Sequence, residues 1–156
     1  MCDDDWMRIA IRQAELGIAE GQSPFGACIV KAGRQLAAAH NLVWQSCDPT
    51  AHAEIGAIRE ASSALGTIDL AGCTIYSTCE PCPMCFAACH WARISRVVYG
   101  ASIADALAAG FNELAIPAEE MKRQGGSRIE IIGGCLREEA VALFAAWQAR
   151  SLCSAY

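Results

Sequence analysis

Lysine is nearly absent: Lys31 and Lys122 are the only two in 156 residues, and the arginines are scattered rather than clustered. Net charge is −5, so the chain lacks the basic patch or stripe by which proteins grip nucleic acid, and a nucleic-acid partner is not expected. No apolar run is long enough to cross a bilayer, which excludes a membrane-spanning helix. The opening Met1-Cys2-Asp3-Asp4-Asp5 is acidic where an export signal would be basic, so the expected location is the cytoplasm. Repeats, low-complexity tracts and an internal linker are also missing. Charged residues make up 19% and hydrophobic ones 54%, which predicts one folded domain over 1–156 with a real core.

Cysteine, by contrast, is abundant, with ten residues. In a small secreted chain that number would read as a disulfide framework. Without a secretion signal, and with enough apolar residues for a core, that reading is set aside. Cys28, Cys73 and Cys135 lie in or beside apolar segments and read as small buried residues. Cys2, Cys47 and Cys153 have no evident role, and Cys89 follows Cys85 by four on one helical face.

Two cysteines stand apart. Ser77 to Trp91 reads STCEPCPMCFAACHW, and within it Cys82 and Cys85 form a Pro-Cys-x-x-Cys pair. Residues three apart are neighbours on a helix, so both thiolates can face one ion from a first turn. Pro81 and Pro83 suit a helix start, and the positive end of a helix favours thiolate over thiol. A second segment, Pro49-Thr50-Ala51-His52-Ala53-Glu54, offers an imidazole and, two residues on, a carboxylate. Off the end of a helix, His52 can bind the same ion while Glu54 faces its water. Two thiolates and one imidazole are the three ligands of a catalytic Zn2+ with its fourth position open. Cys79 leaves an alternative: with Cys82, Cys85 and His52 it would close a structural zinc site of a non-enzymatic binding module.

His-x-Glu followed by Pro-Cys-x-x-Cys resembles the signature of the zinc-dependent cytidine deaminase superfamily, which includes nucleobase and tRNA adenosine deaminases. The resemblance runs from PFGACIVKAG at Pro24 through Asn41, DPTAHAE, CEPCPMC and HWARISRVVYG to AGFNE at 109–113. Within the superfamily it looks closest to bacterial guanine deaminases. It implies hydrolytic deamination of a free base, guanine to xanthine and ammonia, by a homodimer. It also implies that Glu54 moves the protons, that Phe25 stacks on the base, and that Asn41 and the Ala53 N–H orient it. Trp91 would reach a neighbouring subunit's pocket, and Tyr156, in a tail over 151–156, would close the site. Where that branch is aspartate-rich this chain has Asn112 and Glu113, and Glu113 is the best match for the acid that accepts from guanine's N–H groups. Read without the resemblance, Phe25 is a core residue, Asn41 a turn residue, Trp91 core or dimer surface, Glu113 a solvated acid and Tyr156 a frayed end. Another base or nucleoside, or a tRNA adenosine, remains an alternative substrate.

Periodicity predicts a helix over 3–20, a hairpin of strands 25–30 and 35–41, and a loop over 44–49. A helix capped by Thr50 then ends near Gly66, and a strand over 73–78 leads into the motif helix. Further strands are expected over 95–100 and 128–132, with helices over 103–110, 117–124 and 136–150. This order predicts an α/β fold, a three-layer α/β/α sandwich around a five-stranded mixed sheet, as in the cytidine deaminase-like proteins it resembles.

Overall fold

The computed structural model describes residues 1–150 and 154–156. Its elements in chain order are α1 (Asp3–Ala19), β1 (Gly26–Lys31), β2 (Arg34–His40), α2 (Val43–Ser46), α3 (Ala53–Leu65), β3 (Cys73–Cys79), α4 (Pro83–Trp91), β4 (Arg96–Ala101), α5 (Ile103–Ala108), α6 (Ala118–Gly125), β5 (Glu130–Ile132) and α7 (Arg137–Gln148). The strands form one sheet in the order β2-β1-β3-β4-β5. The first two junctions are antiparallel and the last two parallel. This is the mixed α/β sandwich expected. The expected loop at 44–49 instead opens in the short helix α2, whose first residue Val43 is held by the Asn41 side chain at 3.1 Å.

Strand alternation explains the two cores, because successive side chains point to opposite faces. Cys28 and Val30 of β1, Tyr76 of β3 and Val98 of β4 pack with α1 and with Leu143, Phe144 and Trp147 of α7. Ala27, Ile29, Ile75 and Val97 pack on the other face with α3, with Phe86 and Cys89 of α4 and with Ala118 of α6. Ala53, Ala57 and Ala61, one turn apart, lie in the same cluster as Ala37 and Ala39 of β2. Gly56 belongs to this close layer: a Cβ there would sit 3.2 Å from that of Ala39. On the opposite face a Cβ at Gly26 would lie 2.1 Å from the Ala10 carbonyl oxygen, so α1 rests on β1 backbone to backbone.

One end of the sheet gathers the chemistry. Gly26 pairs with His40 and Ala27 with Ser77, so the start of β1, the end of β2 and the end of β3 coincide. Phe25, Asn41 and the Cys79–Cys82 turn therefore meet beyond the carboxyl ends of the parallel strands, where ligands bind in open α/β sheets. At the opposite end Asp3, in the first turn of α1, accepts from both terminal nitrogens of Arg96 at 2.9 and 2.7 Å and from the Tyr76 hydroxyl at 2.7 Å. The Arg96 hydrogen bonds hold its carboxyl below the ordinary value.

Two outcomes follow. Gly26→Ala forces α1 off the sheet and is expected to cost at least ~2 kcal/mol by chemical denaturation, whereas an unchanged midpoint would refute the backbone contact. A carboxyl whose folded pKa is lowered contributes stability above its unfolded value of about 3.9 and loses it as pH falls through the folded one. Asp3→Asn should therefore lower Tm at pH 7, with the difference from the parent shrinking towards pH 2–3 in a series of thermal melts.

Candidate active site

The site is assembled from two helix N-termini. His52 is the N-cap of α3, in extended backbone with φ −67° and ψ 155°, and Ala53 and Glu54 open the helix. The expected cap, Thr50, serves the preceding turn instead, because its N–H and hydroxyl both donate to Asp48 Oδ1 at 2.8 and 2.7 Å. Cys82 is likewise the N-cap of α4, with Pro83 and Cys85 in its first turn. A cap residue's side chain leaves the helix at its end, so each motif aims a ligand outward along the positive end of the helix dipole.

The donors fit zinc. His52 Nδ1 lies 3.6 Å from Cys82 Sγ and 3.5 Å from Cys85 Sγ. A tetrahedral zinc with ordinary Zn–S and Zn–N bonds places sulfur and nitrogen about 3.5–3.6 Å apart. All three donor atoms lie within 4.8 Å of one another. Cys85 donates to Cys82, and this hydrogen bond is the first cause that pulls Cys82 down to about 4, with His52 adding to it. The same bond, with burial, raises Cys85. Burial would lower His52, but the Cys82 hydrogen bond and the charge of Glu54 outweigh it and raise it.

Cys79 does not join them. It is the last residue of β3, and its thiol contacts the Ser102 carbonyl oxygen at 3.6 Å. Glu80 and Pro81 carry the chain from that strand end to the helix start, so the four-ligand closed site is not formed.

Glu54 is buried and its pKa is raised, first by that burial. The Ser77 hydroxyl donates to its Oε1 at 3.2 Å. A glutamate tuned upward beside a metal site suits a group that takes and returns a proton.

Around these residues lies a small cavity lined by Phe25, His52, Glu54, Cys79, Glu80, Cys82, Glu113 and Tyr156. Its water-accessible volume is about 20 Å³, room for about one water. Phe25 serves core and cavity together, with its ring 4.9 Å from Phe111 and 6.0 Å from Phe144. Asn41 is fully buried; its Oδ1 accepts from Val43 N–H and its Nδ2 donates to the Tyr156 hydroxyl at 2.6 Å. Ala53 is buried at the first position of α3, where the helix leaves N–H groups without internal acceptors. Glu113 lines the cavity rather than facing open solvent, and burial first, then Cys82, raises its pKa. Tyr156 is not frayed: its carbonyl accepts from Asn112 N–H at 3.1 Å, and its ring lies 5.8 Å from that of His52. Residues 151–153 of the expected tail, Cys153 included, lie outside the described residues. Trp91, at the far end of α4, is 77% exposed, which removes the core alternative, and it does not line this cavity.

The chain matches the family model described as the cytidine and deoxycytidylate deaminase zinc-binding region over residues 1–101. The chain belongs to this family. It is 45% identical to the guanine deaminase of Bacillus subtilis (strain 168) over 127 residues, 77% of this chain and 81% of that one. It is 37% identical to the tRNA-specific adenosine deaminase of the same organism over 145 residues, 93% of this chain and 88% of that one. A solved structure of guanine deaminase from Nitrosomonas europaea superposes with a TM-score of 0.87 at 31% identity, covering 94% of this chain and 85% of that one. The protein is thus a zinc-dependent aminohydrolase, and His52, Cys82 and Cys85 are its possible metal site.

Two side chains here escaped the sequence reading. Ser77 is a polar residue in the buried stripe of β3, two residues beyond Ile75, and that break in the apolar pattern is the signal for it. Glu80, an acid between the strand end and the metal-binding turn, has its carboxylate buried and accepting from two backbone N–H groups. Ser77→Ala is expected to keep zinc bound and to lower kcat about 5- to 20-fold, the loss of one hydrogen bond to a charged group. Steady-state ammonia release reads this out, and an unchanged kcat would show that Ser77 does not hold the carboxylate.

Proposed function

We propose that this deaminase acts on a free purine base, with guanine converted to xanthine and ammonia. The observation that carries the reading is the placement of Glu113 in the same cavity as Glu54 and the metal donors. An acceptor-only carboxylate there matches a base that presents adjacent N–H and N–H₂ donors. The likeness to a guanine deaminase supports the same choice.

In this reading Phe25 stacks on the base. The Asn41 amide and the Ala53 N–H orient it, and Glu113 accepts from its N–H groups. Asn41 now donates to Tyr156, so an entering base exchanges its own acceptor for the phenol oxygen. The zinc that His52, Cys82 and Cys85 would hold supplies a water acidic enough to react at neutral pH. Glu54, held by Ser77, would act as the base that accepts a proton from the attacking water. It then delivers protons to the ring nitrogen and to the departing amine. Water adds to the amino-bearing carbon, the C–N bond breaks, and ammonia leaves, so the sum is base plus water to oxo-base plus ammonia.

A tRNA adenosine is the second reading, favoured by the relative that matches 93% of this chain. Against it stands the scarcity of lysine, which leaves no basic patch to hold an RNA backbone. The proposal includes a homodimer in which Trp91 reaches the neighbouring pocket, and a location in the cytoplasm. The cysteines of the described residues are unpaired, which suits that compartment.

Ammonia release from guanine, guanosine, adenine, cytosine, cytidine and aminated pterins or triazines tests the substrate. Guanine is expected to dominate, and turnover of another compound alone would discard it. Glu54→Ala should retain one zinc per chain and lose about 10²- to 10⁴-fold in kcat. Retained turnover would sink the mechanism.

A further inference from the structure

The Glu80 carboxylate is 8% exposed and is divided between two helices. Its Oε2 accepts from Ile103 N–H at 3.1 Å and its Oε1 from Ala118 N–H at 2.9 Å. Ile103 is the first residue of α5 and Ala118 the first of α6. A first-turn N–H has no acceptor within its own helix, so one side chain satisfies two such donors fifteen residues apart in sequence. Glu80 cannot drift to do so: its own N–H donates to the Ala101 carbonyl at 2.7 Å, and Pro81 after it is fully buried.

What lies between the two helices gives this clamp its meaning. Residues 109–117 run from the end of α5 to the start of α6 without helix or strand. They carry Phe111, which packs on Phe25 and Trp147 with ring centroids 4.9 and 4.8 Å away, and Glu113, which lines the cavity. Beyond Phe111 the segment's backbone bonds are short-range or go to the tail: Ile116 N–H to Leu114 O at 2.7 Å and Asn112 N–H to Tyr156 O at 3.1 Å. Glu80 itself stands two residues before Cys82. One residue therefore joins the metal-binding turn to the start of α5 and to the start of α6.

We propose that Glu80 is a positioning residue that fixes the substrate wall against the metal turn and so sets the place of Glu113. The proposal rests on the reading that Glu113 contacts the base. A carboxylate suits the task because it only accepts. Glutamine keeps one accepting oxygen but turns an N–H₂ towards the second backbone N–H, so one helix start is released.

The test uses the zinc-loaded full chain and the Glu80→Gln variant. Amide exchange read by mass spectrometry is expected to rise about tenfold or more across 103–118 and to stay unchanged in β3 and α4. Zinc content should remain one per chain, and KM for the base should rise about tenfold with kcat within about threefold. A residue that merely stabilises the fold would act independently of Glu113. A double-mutant cycle with Glu113→Gln separates the two, and E80Q should then change kcat/KM by less than about twofold in the E113Q background. Unchanged exchange at 103–118, or a full E80Q effect in the E113Q background, would overturn the proposal. If E80Q does not fold, Glu80→Asp takes its place in both arms, since it keeps the charge but is one methylene too short to span both helix starts. Failure of the guanine reading is seen separately, as a parent enzyme silent on guanine. The cycle is then run on the base it does deaminate, and the exchange arm needs no substrate.

Discussion

The rest of this molecule depends on three donor atoms being held at metal-binding distance by two helices that are far apart in sequence. His52 Nδ1 stands 3.5–3.6 Å from two sulfurs. Neither helix supplies that spacing alone. It requires α3 and α4 to rest on the same face of the sheet with their N-termini converging, and both helices share one apolar cluster with β1 and β3. The cap positions then do what no mid-helix residue could, since a side chain at the very start of a helix points along the axis rather than away from it. Burial raises both Glu54 and Glu113, and the two carboxyl groups line the same small cavity.

Much of this was legible in the sequence because its signals are local. A Cys-x-x-Cys pair with prolines beside it fixes a helix start, and the continuous apolar runs VVYG and GACIV mark buried strands. Element order then gives the sandwich. The errors are equally local. Thr50 looks like a cap, but Asp48 two residues earlier competes for its hydroxyl and N–H, and the cap falls to His52. Residues 44–49 look like a loop because a four-residue helix is too short to show a period.

What sequence could not show is which long-range polar pairs form. Ser77 reaches Glu54 across 23 positions, Glu80 reaches Ala118 across 38, and Asn41 reaches Tyr156 across 115. Each is a residue whose commoner role is bland: a strand serine, a loop acid, a turn asparagine, an end tyrosine. Only the fold brings their partners within hydrogen-bond distance. Phe25 shows that the two roles need not exclude each other, since its ring is packed by Phe111 and Phe144 and still forms a wall of the cavity.

The fully or nearly buried residues that α3 and β2 contribute to their shared layer are alanines, Ala53, Ala57 and Ala61 with Ala37 and Ala39, beside the close approach at Gly56. Such side chains have no rotamers to exchange, so the helix cannot settle a little higher or lower by repacking. His52 is therefore placed by the thickness of two backbones, as a bearing is placed by its seat. The opposite wall is made of long side chains, Phe25, Glu113 and Tyr156, carried on irregular backbone. Those side chains have rotamers to exchange, so that wall can change shape without moving a helix, while the seat of His52 cannot.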